Sequence, residues 1–337
     1  MTFNKLSAAL RGTMAAALMA GTSCFASAAL AEPDMLLRAG HSSALTSTGH
    51  AALEMLNDRL MERTDGRIGI QIFPNSQLGG EREQIESIQL GNLDMAYVST
   101  APVASFDQDF FVLDLPFAFK DRDAVFRVLD GEVGHDLLDG LQNVGLVGLA
   151  FWENGFRQLA NDKKVVHTPD DLAGMKMRTM ENEVHIATWR ELGANPSPLS
   201  FSELFTSLQQ GTFDAMESPI NLFYDMKFNE VQSYISRTNH LYGAWVLLMS
   251  PDTLAMLSDE DREIFMQAVA ETTADQRALA IEADDKAMAA MPEVTITDLT
   301  DEELAAFSEQ MAPVYDLVAE KVGDELVQKV VAAAKGE

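Results

Sequence analysis

Cysteine occurs once in the 337 residues, at Cys24. A single thiol excludes a disulfide framework and any site built from several cysteines. Cations are scarce as well: 24 Lys+Arg stand against 52 Asp+Glu, a formal net charge of −28. A chain that neutralises phosphates needs a basic face, so nucleic acid is excluded as a partner. A polybasic dock onto anionic lipid is excluded on the same ground. Long apolar runs are missing too. The nearest in the body of the chain, 241–250, is only strand-sized and too short to cross a bilayer.

Catalytic signatures are also absent. The sequence holds no G-x-S-x-G, P-loop, G-x-G-x-x-G or H-E-x-x-H. Asp121-Arg122-Asp123 starts like a calcium loop but fails at the next ligand position. The six histidines show no close paired spacing. Glu181 and His185 could ligate one metal from adjacent helical turns, but acids at the positive end of a solvated helix are the better account of the run. Acid pairs are too common in so acidic a chain to mark a general acid and base. No cofactor or metal is expected, and an enzyme is disfavoured.

What is present starts with a leader. Lys5 and Arg11 precede an apolar run over 14–20, and Ala29-Leu30-Ala31 offers an A-x-A cleavage site before Glu32. Residues 1–31 therefore read as a cleaved export signal, and the mature chain as soluble and periplasmic. Cleavage removes both leader cations and takes the net charge to −30. Cys24 could instead mark a lipoprotein, but Gly21 stands where such a signal has leucine.

The length fits about two domains, and 47% hydrophobic residues suffice for their cores. Residues 35–40 read as a strand, 46–63 as a helix, 68–73 as a strand, 81–90 as a helix and 93–98 as a strand. This alternation implies a parallel sheet flanked by helices. A helix over 121–141 and a buried strand over 144–150 follow. The pattern restarts after Thr168-Pro169-Asp170-Asp171, a helix start with its cap and acids in place. It continues with a strand over 175–179, helices over 183–192 and 202–210, and a strand over 212–216. Two α/β lobes joined by structured crossovers are the natural reading, since no Pro/Ser-rich linker separates them. Ser258 and Asp261 open a helix with no Gly or Pro before Pro292. About 33 residues make ~50 Å of helix, whereas one such lobe is only ~30–35 Å across. The helix should therefore brace both lobes. Thr300 with Glu303 opens a further helix.

Arg178 is the informative residue. It sits at the carboxyl end of the 175–179 strand, where open α/β sheets bind ligands. A guanidinium there presents a planar fork that suits a carboxylate; pairing with a structural acid is the competing account.

The sequence also resembles the solute receptors of tripartite ATP-independent periplasmic (TRAP) transporters, over nearly the whole mature chain. The likeness rests on Phe73-Pro74-Asn75-Ser76-Gln77-Leu78-Gly79-Gly80-Glu81-Arg82-Glu83, then on Ile88-Gln89-Leu90-Gly91-Asn92-Leu93-Asp94-Met95. Leu113-Asp114-Leu115-Pro116-Phe117 and Asp171-Leu172-Ala173-Gly174-Met175-Lys176-Met177-Arg178 follow. Leu208-Gln209-Gln210-Gly211-Thr212-Phe213-Asp214-Ala215-Met216-Glu217-Ser218-Pro219 and Thr238-Asn239-His240 complete it. The resemblance implies a two-lobed α/β binding protein, not an enzyme, that closes on a small organic anion and delivers it to membrane permease subunits. It implies lobe I at 33–155 plus 245–283 and lobe II at 156–244 plus 284–337, in a monomer. Arg178 matches the arginine that salt-bridges the ligand carboxylate, and Arg157 a second, assisting arginine. Phe201 falls where an aromatic meets the ligand. Ser218 departs from the pattern, which often has Asn there, and a hydroxyl cannot reproduce both amide roles. His41 and Glu81 take positions that meet ligand hydroxyls in receptors for sugar acids; Trp152 and Tyr242 are weaker candidates. A sugar acid or other hydroxylated carboxylate is the favoured ligand class. The rival functions are a receptor for an ATP-driven importer, a sensor module and a secreted enzyme. The leader reading predicts that N-terminal sequencing of exported protein starts at Glu32; a start at Met1 contradicts it.

Overall fold

The computed structural model describes residues 33–337; the expected export leader lies outside them. Nine strands form one mixed sheet: β1 (Met35–Gly40), β2 (Ile68–Phe73), β3 (Met95–Ser99), β4 (Val147–Asn161), β5 (Lys176–Thr179), β6 (Asn195–Pro198), β7 (Ala215–Ser218), β8 (Tyr234–Met249) and β9 (Thr295–Asp298). Their order is β2-β1-β3-β8-β4-β7-β5-β6, with β9 on β8.

The two ends of this sheet are parallel. β1 pairs with β2 and β3 at one end, β5 with β6 and β7 at the other. Helices cover both faces, which is why every residue of β3 is buried. Between the ends run two long antiparallel strands, β4 and β8, paired from Val147–Met249 to Asn161–Tyr234. They are the structured crossovers between two α/β lobes. Their ladder shifts register at three bulges, one between Glu153 and Gly155. Gly155 has φ +121°, and a Cβ there would lie 3.3 Å from that of Pro219. Only glycine fits that bulge without strain, where β4 passes from one lobe to the other.

The structure alters three readings of the sequence. The expected strand over 144–150 starts later and runs on through Asn161, because Gly148, Gly155 and polar side chains hide its length. The expected helix over 121–141 is two helices, Arg122–Leu129 and Glu132–Gly140, hinged at Gly131. The turn is so tight that a Cβ on Gly131 would stand 2.4 Å from the Arg127 carbonyl oxygen. The strand Asn195-Pro196-Ser197-Pro198 had no sequence signal. Its two prolines are tolerated because it is the edge of the sheet.

The long helix is Asp259–Ala290, capped by Ser258, whose side chain accepts from the Asp261 N–H. It packs against helix Thr48–Arg63, strand β4 and helix Ile220–Asp225, and so touches both lobes. Its inward stripe runs Phe265, Val269, Thr272, Gln276, Ala280 and Ala287. Gln276 grips the bulge of β4: its amide oxygen accepts from the Glu153 N–H at 2.8 Å and its nitrogen donates to the Glu153 carbonyl at 2.7 Å. Arg122 adds a link, donating to Glu153 at 2.7 Å and to Asp284 of the long helix at 2.6 Å. The C-terminal helices pack on both sides as well: Tyr315 donates to the Pro116 carbonyl at 3.0 Å and Lys321 pairs with Glu183 at 2.7 Å.

Gln276→Ala strands two buried backbone groups of β4. It should cost about 1–3 kcal/mol, read as a lower urea midpoint; an unchanged midpoint contradicts this bracing role.

Candidate functional site

The parallel strands of both lobes end on the same cleft. β1 leads into Ser42 and Ser43, β3 ends at Ser99, and β5 ends at Arg178-Thr179-Met180. Ser42, Ser43, Glu81, Ser99, Arg157, Met180, Phe201, Leu222 and Trp245 line one small pocket there. The cleft is closed around it. Thr46 donates to Asp225 at 2.9 Å across the lips, and the Asn182 amide reaches the Ala101 carbonyl at 2.9 Å. A wider crevice lies behind the hinge, but its guanidinium groups are spoken for: Arg122 by Glu153 and Asp284, Arg237 by Asp298.

Arg178 is 2% exposed. Its Nε and Nη2 donate to the Leu199 carbonyl at 2.9 and 2.7 Å, and its guanidinium lies 5.9 Å from the centre of the Phe201 ring. Among the described residues no carboxylate pairs with it. Burial pulls its pKa down to about 10, with Arg157 adding to the fall and Glu217 and Glu81 opposing it. A buried cation whose only strong contact is a carbonyl dipole is a costly arrangement. The desolvation cost of that cation has already been met in folding.

Arg157 is buried too, but its charge is taken. It forms a two-point pair with the Glu217 carboxylate, and Nη2 also reaches the Glu217 carbonyl at 2.9 Å. Burial would raise the Glu217 carboxyl, yet Arg157, His185 and His240 hold it well below the usual carboxylate range. Behind this pair, His185 bonds Asp114 at 2.9 Å, and Asp114 also accepts from Asn182 at 2.7 Å. Arg157 is thus a fixed wall of the pocket, while Arg178 holds free charge.

Glu81 faces the same space. It opens helix Glu81–Gln89, and its Oε1 accepts from the Ser99 N–H at 2.8 Å and the Ser99 hydroxyl at 2.9 Å. The Ser218 hydroxyl, beside Glu217, is buried without a partner. His41 is fully buried, with one ring nitrogen 3.0 Å from His50 and the other 2.9 Å from the Tyr97 hydroxyl. Burial, with help from His50, drops its pKa to about 3. A neutral ring with both nitrogens engaged supports the wall instead of offering a polar atom to the pocket. Trp152 packs in the lobe core and donates to Thr273 at 3.0 Å; Tyr242 donates to Glu153 at 2.7 Å at the hinge. Neither lines the pocket. The sequence thus brings together Glu81, Arg157, Phe201 and Arg178, and leaves Trp152 and Tyr242 elsewhere. Ser42, Ser43, Ser99 and Met180 were missed, although the first three sit at strand ends, where a ligand is expected. The pairing of Asp114 with His185 carried no signal, because it spans 71 positions.

Known proteins match the chain over most of its length. The family model for bacterial extracellular solute-binding protein, family 7, matches residues 39–321. The 2,3-diketo-L-gulonate-binding periplasmic protein YiaO of Escherichia coli is 35% identical over 302 residues, 90% of this chain and 92% of the relative. The C4-dicarboxylate-binding periplasmic protein DctP of Rhodobacter capsulatus is 37% identical over 311 residues, again 90% and 92%. The crystal structure of the sugar acid binding protein DctPAm from Advenella mimigardefordensis, in complex with galactonate, aligns with TM-score 0.88 at 35% identity, covering 90% of this chain and 99% of that one.

The buried histidine gives a pH signature. Burial alone would lower His185, but Asp114 and Glu217 outweigh it and lift it to about 9. A raised histidine stabilises the fold fully below its unfolded value, near 6.5, and the contribution is lost as pH rises to about 9. Stability should therefore decline between these values by roughly 3 kcal/mol at most. His185→Gln should remove that part of the slope. A wild-type midpoint flat across the interval contradicts the assignment.

Proposed function

The chain belongs to the bacterial extracellular solute-binding proteins of family 7, the periplasmic receptors of TRAP transporters, and on that premise we propose that it captures a small hydroxylated monocarboxylate of the sugar-acid class. It is a carrier and not an enzyme. The observation that supports the ligand assignment is the buried guanidinium of Arg178, bound to a carbonyl and paired with no carboxylate among the described residues.

The ligand carboxylate takes Arg178 as its counter-ion, and Phe201 shields the pair. Closure desolvates it, so the charge-assisted hydrogen bonds strengthen. The ligand shifts an open–closed equilibrium by its preference for the closed form, with the Thr46–Asp225 bond across the lips among the closed contacts. Glu81, the serine hydroxyls at 42, 43 and 99 and the unpartnered Ser218 hydroxyl suit a ligand rich in hydroxyl groups. A C4-dicarboxylate, which the Rhodobacter relative is named for, is the second reading. It is disfavoured because Arg157 is tied to Glu217, which leaves a second ligand carboxylate without a guanidinium partner in the pocket. The lobes divide at 33–155 plus 245–283 and 156–244 plus 284–337. The mature protein is an exported periplasmic monomer that hands its ligand to the permease subunits of the transporter.

A thermal-shift screen of organic acids identifies the ligand, since binding raises apparent stability by mass action. Sugar acids such as galactonate should raise the midpoint more than succinate. With the hit in hand, Arg178→Ala should lose about 3–5 kcal/mol of binding by calorimetry, the scale of breaking a buried ion pair. Unchanged affinity sinks the assignment of Arg178.

A further inference from the structure

The pocket that receives the ligand carboxylate already contains an acid. Glu81 has one oxygen pinned by the backbone and hydroxyl of Ser99, and among the described residues no donor bonds the other. We propose that capture of the ligand carboxylate is coupled to protonation of Glu81, so that the receptor takes up an anion and a proton together. This inference rests on the reading of the pocket given above.

The charges around Glu81 favour it. Arg178 on β5 and Arg157 on β4 support its ionised form, and Glu217 on β7 lies close to both. Tyr97 on β3 is a neutral phenol, and His41 after β1 a neutral ring. On its own helix Arg82 and Glu83 follow it, and Arg82 is paired with Glu86. Burial already pushes the Glu81 carboxyl upward, against the Ser99 donors and the two arginines. A ligand carboxylate on Arg178 cancels the field of that guanidinium at Glu81. It also brings a second negative charge into a desolvated space, where two carboxylates resist joint ionisation. Arg157 cannot compensate, since it is fixed on Glu217. The helix N-terminus favours a carboxylate, but it is present with and without ligand and drops out of the difference.

Other sinks for the proton are poor. His185 already carries one at neutral pH, and both ring nitrogens of His41 are engaged. His240 is bonded to Thr238, and burial lowers its affinity for a proton. The proton comes from solvent and leaves Glu81 with an O–H that can donate to a ligand oxygen. The bound state then holds more protons than the free state. Affinity is highest at low pH and falls as pH rises through the range where Glu81 of the complex ionises, by up to about tenfold per pH unit.

Calorimetric titration with galactonate, in buffer pairs of different ionisation enthalpy between about pH 5 and 8, counts the proton directly. Wild type should show a buffer-dependent enthalpy corresponding to uptake, and Glu81→Gln none. Should that variant bind too weakly to titrate, an infrared difference spectrum of wild type with isotope-labelled galactonate replaces it. A protonated glutamate band should then appear on binding. Binding with a buffer-independent enthalpy, or without that band, overturns the inference and leaves the proposed function standing. No binding by galactonate or by any acid of the screen overturns both.

Discussion

One unpaired charge organises this molecule. Arg178 is buried against Phe201 and the Leu199 carbonyl, and no carboxylate of the described chain answers it. A folded protein tolerates such a cation only when the rest of the structure over-determines its position. Here β5 fixes its backbone, the carbonyl fixes the fork, and the neighbouring Arg157 is prevented from competing for the same anion by its own pair with Glu217. The difference between the two follows from that pairing: Arg157 is fixed in the pocket wall, and Arg178 is left without a carboxylate partner among the described residues.

The rest of the fold can be understood as what keeps that pocket aligned between the two lobes. Each lobe offers strand ends to the cleft, and only β4 and β8 carry the sheet from one lobe to the other. Their bulges supply bend without breaking the ladder. The long helix crosses behind them and holds the bulge at Glu153 through Gln276, so bending is confined to a short stretch. Arg122, Glu153 and Asp284 meet at the same place. Burial lifts Asp284 to about 6, against the pull of Arg122. The hinge is therefore a buried polar junction, beside an apolar cluster that takes in Ile85 and Phe110 of one lobe and Met177 and Trp189 of the other.

Much of this was legible in the sequence, for physical reasons. Alternating strand and helix periods marked both α/β lobes, and caps at Ser258 and Thr300 marked helix starts. Freedom from Gly and Pro marked the brace. The position of Arg178 at a strand end pointed to the cleft where β1, β3 and β5 end. What stayed hidden depends on pairings between distant positions. β4 and β8 carry glycine and polar side chains that erase the alternation a half-buried strand would show. β6 is built on prolines that only an edge position permits. The place of His41 after the first strand was legible, but not that His50 and Tyr97 engage both its ring nitrogens. Glu217 was visible as part of a motif, but not as the partner of Arg157. The acidity of the chain belongs mostly to its solvated surface, whereas the pocket holds the guanidinium of Arg178, which no described carboxylate pairs.

The central claim is that Arg178 is held without a counter-ion so that a ligand carboxylate can become one. A crystal structure of the protein with the strongest acid of the screen tests it most directly. The account predicts ligand carboxylate oxygens at about 2.7–2.9 Å from the Arg178 guanidinium, with Arg157 still on Glu217. A complex in which the carboxylate binds elsewhere, and Arg178 keeps the Leu199 carbonyl as its only polar partner, would contradict it.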